Sequence, residues 1–148
     1  MALQKDLKEF IKLLNSHKVK YLIVGAHAVA YHGYPRLTGD IDFFIEISSI
    51  NATRLEAVMK DFGFIGEPFT AEKFMEAHNV FQLGRQPNRI DLITTISGVA
   101  FDQAWSSKVK AELDSLPVYF ISKELLIQNK KASGRAKDLL DVKELTSS

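Results

Sequence analysis

The feature that most restricts the fold of this chain is the stretch 21–46, which reads YLIVGAHAVAYHGYPRLTGDIDFFIE. Its apolar start predicts a short buried strand, which Gly25 ends. The next residues have the composition of one or two helical turns, and Gly33 and Pro35 stop that helix. A second predicted strand, 40–45, then carries two carboxylates among apolar side chains.

This acidic strand places two carboxylates on one side of the chain. Because side chains alternate along a strand, Asp40 and Asp42 share a face. Arg36 and Thr38 lie on the same face if the chain is already extended before Asp40. Two neighbouring carboxylates repel each other, and a divalent cation such as Mg²⁺ between them removes the conflict. The pair therefore indicates a metal site; the alternative is a strand end at which two solvated acids cap a loop.

The turn before the acidic strand indicates a phosphate site. Gly25 has no side chain to keep a phosphate from the backbone, and it lies with Ala26 at the predicted start of a helix. Free N–H groups and the helix dipole favour an anion at such a start. One stretch of the chain therefore predicts both a metal site and a phosphate site.

Composition narrows the class of protein without pointing to a function. The 148 residues favour one domain, 1–148, and apolar and charged fractions of 46% and 25% are those of an ordinary soluble globule. A net charge of +1 gives no global attraction to nucleic acid or membranes. The absence of cysteine excludes disulfides, thiolate catalysis and Cys-ligated zinc. No segment resembles a signal peptide or a membrane span, so we expect a cytoplasmic protein without membrane contact.

Hydrophobic periodicity predicts helices and strands along the rest of the chain. Helices are predicted at 2–16, 50–62, 97–106, 122–131 and 135–142, and further strands at 64–65, 80–83, 89–95, 109–113 and 116–121. Ser97 and Ser122 are predicted N-caps. Pro117 should lie at a sheet edge or at the start of its own strand. His27 and His32, five residues apart, diverge on a helix and are a poor zinc pair.

The predicted strand 89–95 contains an acid, Asp91, between β-forming residues. A charge in such a strand needs a partner or a metal. Binding to a metal with the other acids is one interpretation. The alternative is a salt bridge to Arg89, although residues two apart in a strand sit only loosely together.

Two cations lie in the first turn of the last predicted helix. Arg135 and Lys137 lie near its N-terminus, where they oppose the helix dipole, so an anion such as a bound phosphate should offset them. The alternative is local pairing of Arg135 with Asp138 and of Lys137 with Asp141, which is weak in this order. The lysines at 130–131 extend this cluster, which is either a solvated face or a guide for RNA or NTP.

These residues together resemble the signature of the DNA polymerase β-like nucleotidyltransferase superfamily, a glycine turn followed by Asp-x-Asp on the next strand. More narrowly, the chain resembles small bacterial proteins of the AbiEii and MNT type, which are found among toxin–antitoxin systems. The matching steps are 25–26, 30–33, Arg36-x-Thr38, Asp40-x-Asp42 and the string Gly-Arg-x-Lys-Asp-Leu-x-Asp at 134–141. The sequence departs from the superfamily at Ala26, where Gly or Ser is usual.

The resemblance implies an α/β (α+β) fold with a nucleotidyltransferase-like mixed β-sheet flanked by helices. It implies that Asp40, Asp42 and Asp91 bind Mg²⁺ or Mn²⁺ and are catalytic, with Asp91 helping to deprotonate the attacking hydroxyl. The residues implied to contact the nucleotide are Gly25, Ala26, Arg36, Thr38, Arg135 and Lys137.

The implied activity is transfer of NMP from an NTP to a hydroxyl of an RNA, a protein or a small molecule. A cognate toxin or antitoxin, or a second copy of the chain, is an expected partner. One alternative is a catalytically silent binding or antitoxin module of the same fold. Another is a hydrolase that uses the same metal site on a phosphodiester.

Overall fold

The computed structural model describes residues 4–33, 39–85 and 88–147, and within them the chain forms seven helices and six strands. The helices are α1 (Lys5–Ser16), α2 (Gly25–His32), α3 (Ser49–Phe62), α4 (Ala71–Phe74), α5 (Phe101–Ser106), α6 (Lys123–Ser133) and α7 (Ala136–Thr146). The strands are β1 (Tyr21–Val24), β2 (Ile41–Ile45), β3 (Val80–Leu83), β4 (Ile90–Ile93), β5 (Val109–Leu113) and β6 (Leu116–Phe120). None of these helices combines the length and the apolar character that crossing a membrane requires.

The described strands form one mixed sheet in the order β3-β4-β2-β1-β6-β5. Pairing is antiparallel at β1–β2, β3–β4 and β5–β6, and parallel at β1–β6 and β2–β4. The acidic strand β2 therefore lies inside the sheet, with β1 on one side and β4 on the other. The predicted α/β (α+β) fold, a mixed β-sheet flanked by helices, is confirmed.

Helices pack on both faces of the sheet because β2 presents apolar rings to both. Phe43 contacts Phe10 of α1, with ring centroids 5.8 Å apart. Phe44 points to the opposite face, where it meets Phe101 of α5 at 5.0 Å. Asp42 lies on the same face as Phe44, and α2 packs beside it and contacts α6 and α7. The sheet face that carries Asp42 and Phe44 therefore holds the polar residues that are relevant to function.

Two predicted elements differ from the structure. Residues 64–65 form no strand, because the backbone N–H of Phe64 donates to the carbonyl oxygen of Met59 at 2.8 Å and closes the end of α3. The helix predicted at 97–106 is shortened to α5. Gly98 has φ of +71°, outside the helical region, and its neighbours form an isolated β-bridge instead. Ser97 is therefore not an N-cap, and that prediction is wrong.

Other local predictions are confirmed. The hydroxyl of Ser122 accepts a hydrogen bond from the backbone N–H of Leu125 at 3.2 Å and caps α6. Pro117 is the second residue of β6, close to the start of its strand. His32 donates from Nε2 to the carbonyl oxygen of Ile121 at 2.7 Å, which ties the end of α2 to the residue after β6.

Candidate active site

Two acids lie side by side on the neighbouring strands β2 and β4. In the parallel pairing of these strands, Asp42 is in register with Asp91. Asp40 immediately precedes β2, and its Oδ1 accepts a hydrogen bond from the backbone N–H of Arg89 at 2.8 Å. All three carboxylates line one cavity of about 530 Å³. We call Asp40, Asp42 and Asp91 the acid cluster; the fold brings Asp91 together with two acids that lie much earlier in the chain.

Arg89 lies between two members of the acid cluster. Its Nε donates to Asp91 Oδ1 at 2.7 Å and its Nη2 donates to Asp91 Oδ2 at 3.0 Å. The same Nη2 lies 3.7 Å from Asp40 Oδ2. The salt bridge that is the alternative interpretation of Asp91 is therefore present. A long arginine side chain spans the gap between residues two apart on a strand, which a shorter side chain could not.

Ionisation of the Asp42 carboxyl is unfavourable in the folded protein. Burial, followed by the charge of Asp91 and a hydrogen bond to its carboxylate, raises the pKa of Asp42 to about 6. Asp40 adds to the increase, and the positive charge of Lys130, which lines the same cavity, opposes it. A cation entering beside Asp42 would relieve this repulsion.

Gly25, at the junction of β1 and α2, makes room for Asp42. Its φ of +68° is left-handed, and a Cβ built on it would overlap Asp42 Oδ2. The glycine therefore accommodates the carboxylate, a role that the sequence does not suggest. Ala26 lines the cavity, and no described side chain caps the first turn of α2, so backbone N–H groups remain for an anion.

We expect Gly25→Ala to lower the stability of the protein and to displace Asp42. A left-handed backbone costs a residue with a side chain about 1–2 kcal/mol, and the overlap with Asp42 Oδ2 adds to this. Urea unfolding measures the loss. Gly66→Ala is the matched control, since Gly66 has φ of +86° but nothing within 4 Å of an added Cβ. Equal losses at the two glycines would show that backbone strain alone is responsible.

Three cationic residues from α6 and the start of α7 line the same cavity: Lys130, Arg135 and Lys137. The fully buried Asp138 binds two of them, accepting from Arg135 Nε at 2.7 Å and from Lys130 Nζ at 3.3 Å. Lys130 Nζ also lies 3.2 Å from Asp141 Oδ2. Burial alone would raise the pKa of Asp138, but the hydrogen bonds, led by that of Arg135, hold it well below its usual range.

Only one of the two local pairs proposed from sequence is present. Arg135 is bound to Asp138, whereas Asp141 lies against Lys130, and Lys137 bonds to no acid among the described residues. Lys137 is exposed and lines the cavity, so its charge is available to an anion. The other two residues expected to contact a nucleotide, Arg36 and Thr38, lie outside the described residues.

Sequence reasoning names two further cavity residues, Lys130 within a basic cluster and Arg89 as a salt-bridge partner of Asp91, but assigns neither to the site. Lys130 lies four positions after the fully buried Leu126 on α6, and a lysine in the apolar stripe of a helix is a signal of a buried ion pair. Arg89 is two residues before Asp91, so the period of a strand places both on one face. For Lys130 the signal gives a face of a helix but no partner, whereas for Arg89 it gives the partner Asp91 but not the contact with Asp40.

The chemistry of the acid cluster suits a hard divalent cation, since Mg²⁺ and Mn²⁺ prefer carboxylate oxygens. Within the described ranges, however, no three His, Cys, Asp or Glu side chains are arranged to hold an ion together. Arg89 accounts for this, because it engages Asp40 and both oxygens of Asp91. The donor set therefore fits the cation, and Arg89 would have to move for all three acids to share it.

No protein-family model and no curated protein matches this sequence. Solved structures do resemble the fold. The lincosamide antibiotic adenylyltransferase LnuA, solved with lincomycin bound, has 16% identity and a TM-score of 0.60, and the match covers 99% of this chain and 98% of that one. A nucleotidyltransferase candidate from Thermotoga maritima has 16% identity and a TM-score of 0.59, with 95% and 90% covered.

A third solved structure, an antigenic nucleotidyltransferase-like protein from Paracoccidioides brasiliensis, has 16% identity and a TM-score of 0.54. The match covers 96% of this chain and 73% of that one. At such identities the likeness shows that the fold is nucleotidyltransferase-like. The narrower resemblance to AbiEii and MNT proteins stays a prediction.

Proposed function

We propose that this protein transfers a nucleotidyl group from an NTP to a hydroxyl group of an acceptor. The observation that carries the proposal is the cavity of about 530 Å³, which is lined both by the acid cluster and by cations from α6 and the start of α7. Nucleotidyl transfer needs these two chemistries close together, carboxylates for a divalent cation and cations for the phosphates. The nucleotidyltransferase-like fold supports the proposal.

In the proposed reaction the triphosphate lies at the uncapped start of α2, along Gly25 and Ala26, with Lys137 against its phosphate oxygens. The acceptor oxygen bonds to the α-phosphorus. The bond from the α-phosphorus to the oxygen bridging to the β-phosphate breaks, and pyrophosphate leaves. The hydroxyl proton passes to Asp91, which first has to lose one of its two hydrogen bonds from Arg89.

Asp40 and Asp42 would hold a divalent cation, Mg²⁺ or Mn²⁺, and Asp91 would complete the set. Such a cation, when bound, neutralises phosphate charge and orients the reacting oxygens. The protein contributes by keeping Asp42 and Asp91 in register on adjacent strands of the sheet. Positioning and charge neutralisation then supply most of the rate increase.

The acceptor belongs to one of three classes. The resemblance to toxin–antitoxin proteins supports an RNA 3′ end or a protein hydroxyl, in the cytoplasm and with a cognate toxin or antitoxin, or a second copy of the chain, as partner. The end-to-end likeness to LnuA, which was solved with lincomycin bound, supports a small hydroxylated molecule.

A catalytically silent binding or antitoxin module is the second candidate. It is favoured by the ion pairs of Arg89, which already neutralise Asp40 and Asp91. In such a module the acid cluster would bind no nucleotide.

Incubation with α-labelled NTPs and Mg²⁺ tests the proposal, with bulk RNA, protein and small hydroxylated antibiotics as acceptors. Label on an acceptor supports transfer, and the acceptor that carries it defines the class. Label released only as free nucleotide indicates hydrolysis. No movement of label, together with no NTP binding by calorimetry, establishes the silent module. Asp40→Asn should lose whatever activity the wild type shows.

We expect Lys137→Gln to raise the KM for NTP roughly tenfold with little change in kcat, because one charge-assisted hydrogen bond to a phosphate is lost. The side chain is exposed, so the fold should be unaffected. Lys131→Gln is the control, since Lys131 is exposed at the end of α6 and does not line the cavity. Equal KM changes in the two variants would assign the effect to overall charge.

A further inference from the structure

Arg89 occupies the position that a shared cation would take between Asp40 and Asp91. Its guanidinium donates to both oxygens of Asp91, at 2.7 and 3.0 Å. Its backbone N–H holds Asp40 Oδ1 at 2.8 Å, and its Nη2 lies 3.7 Å from Asp40 Oδ2. All four oxygens of these two carboxylates therefore face Arg89.

These contacts are strong enough to matter for the site. The Asp91 side chain is only 9% exposed, and a buried carboxylate without a partner is unfavourable. Bidentate arginine–carboxylate pairs are among the strongest hydrogen-bonded pairs in proteins. Arg89 thus compensates the charge of Asp91.

The guanidinium of Arg89 also has space into which it can move. Arg89 lines the cavity together with the acid cluster, and its side chain is 24% exposed. Rotation about its side-chain bonds would move the charged group into the cavity without disturbing β4, whose ladder uses backbone atoms. A displaced guanidinium would then lie where the phosphates of an NTP are expected.

We propose that Arg89 is an internal counter-cation that competes with a divalent cation for Asp40 and Asp91 and thereby lowers the metal affinity of the site. The inference rests on the proposed function, since it takes the acid cluster to be the metal site. Arg89 is a positioning residue in this scheme. It holds the two carboxylates in place until a divalent cation displaces it from at least one of them.

Titration of the metal-free protein with Mn²⁺ alone, with free Mn²⁺ followed by electron paramagnetic resonance, tests the inference. Arg89→Met keeps most of the side-chain length but removes the charge, and it should bind Mn²⁺ about tenfold more tightly than the wild type. Arg85→Met is the matched control, an exposed arginine of the same β3–β4 connection that does not line the cavity, and it should bind as the wild type does. Adding Asp42→Asn to Arg89→Met should abolish the gain.

Arg89→Lys keeps the experiment decisive if Arg89→Met does not fold, because lysine retains the charge but cannot donate to both oxygens of Asp91 in a fork. Its Mn²⁺ affinity should be intermediate. Unchanged Mn²⁺ affinity in both Arg89 variants, with binding still weakened by Asp42→Asn, would overturn the inference and leave the proposed function intact. Failure of the proposed function appears elsewhere, as absence of labelled transfer by the wild type.

Discussion

Asp42→Asn is expected to reduce nucleotidyl transfer roughly 10³-fold, because metal catalysis contributes several kcal/mol and the amide is a poor ligand for a hard cation. The same change should make the protein more stable. Burial and the nearby Asp91 raise the pKa of Asp42 to about 6, so the folded chain is destabilised by its charge at neutral pH. A shift of about two pKa units corresponds to about 3 kcal/mol, which is the upper limit of the gain.

The gain in stability should depend on pH in a defined direction. Below about pH 4, Asp42 is protonated in both the folded and the unfolded chain, so the wild type has no penalty. Between about pH 4 and about pH 6 the unfolded chain loses its proton first, and the wild type becomes progressively less stable than the variant. Urea unfolding of both proteins at the two ends of this window measures the difference. A variant that is inactive but no more stable at neutral pH would contradict the electrostatic account of Asp42.

Asp138→Ala should cause the largest loss of stability, about 3–5 kcal/mol, because it breaks a buried ion pair and leaves the Lys130 ammonium with one of its two acids, Asp141. Asp138 is fully buried and accepts hydrogen bonds from Lys130, Ser133 and Arg135. These bonds join α6 to α7, so we expect the two helices to separate first. Urea unfolding gives the loss, and hydrogen exchange of the amides in α6 and α7 locates it.

Asp102→Ala is the matched control, because Asp102 lies in the first turn of α5 as Asp138 does in α7, but it is exposed. It should cost only a few tenths of a kcal/mol through the helix dipole. The hydrogen-bond partners of Asp138 hold the pKa of that carboxyl well below its usual range. The stability that Asp138 contributes is therefore present at pH values above its pKa in the unfolded chain. That stability should be lost only as the pH falls through the lower, folded value. Similar losses of stability in Asp138→Ala and Asp102→Ala would rule out a special role for the buried contacts of Asp138.

Local sequence patterns predict the helices and strands of this fold better than they predict which elements and side chains contact each other. The succession β1, α2 and β2 follows from an apolar run, a glycine and a period of two, and each is present close to its predicted bounds. The register of Asp42 with Asp91 depends on the pairing of β2 with β4, which no local pattern contains. The ion pair of the buried Lys130 ammonium with Asp138 depends on tertiary contacts in the same way, whereas the fork of Arg89 on Asp91 joins residues two apart on one strand.

Gly25 shows a second kind of limit. The sequence predicts a turn there, and the turn is present with φ of +68°. The reason for glycine rather than another residue is the carboxylate of Asp42, which comes from the adjacent strand. Local chemistry thus predicts the conformation of a residue, whereas the steric reason for its identity appears only after the sheet is assembled.

The described lining of the large cavity is electrically balanced, with four carboxylates (Asp40, Asp42, Asp91, Asp141) and four cationic groups (Arg89, Lys130, Arg135, Lys137). A chamber with no net charge, in a chain whose own net charge is only +1, exerts little long-range pull on a polyanion. Association should therefore vary weakly with ionic strength. It also follows that a bare triphosphate would upset this balance, whereas one that arrives already partly neutralised by its own counterion would disturb it less.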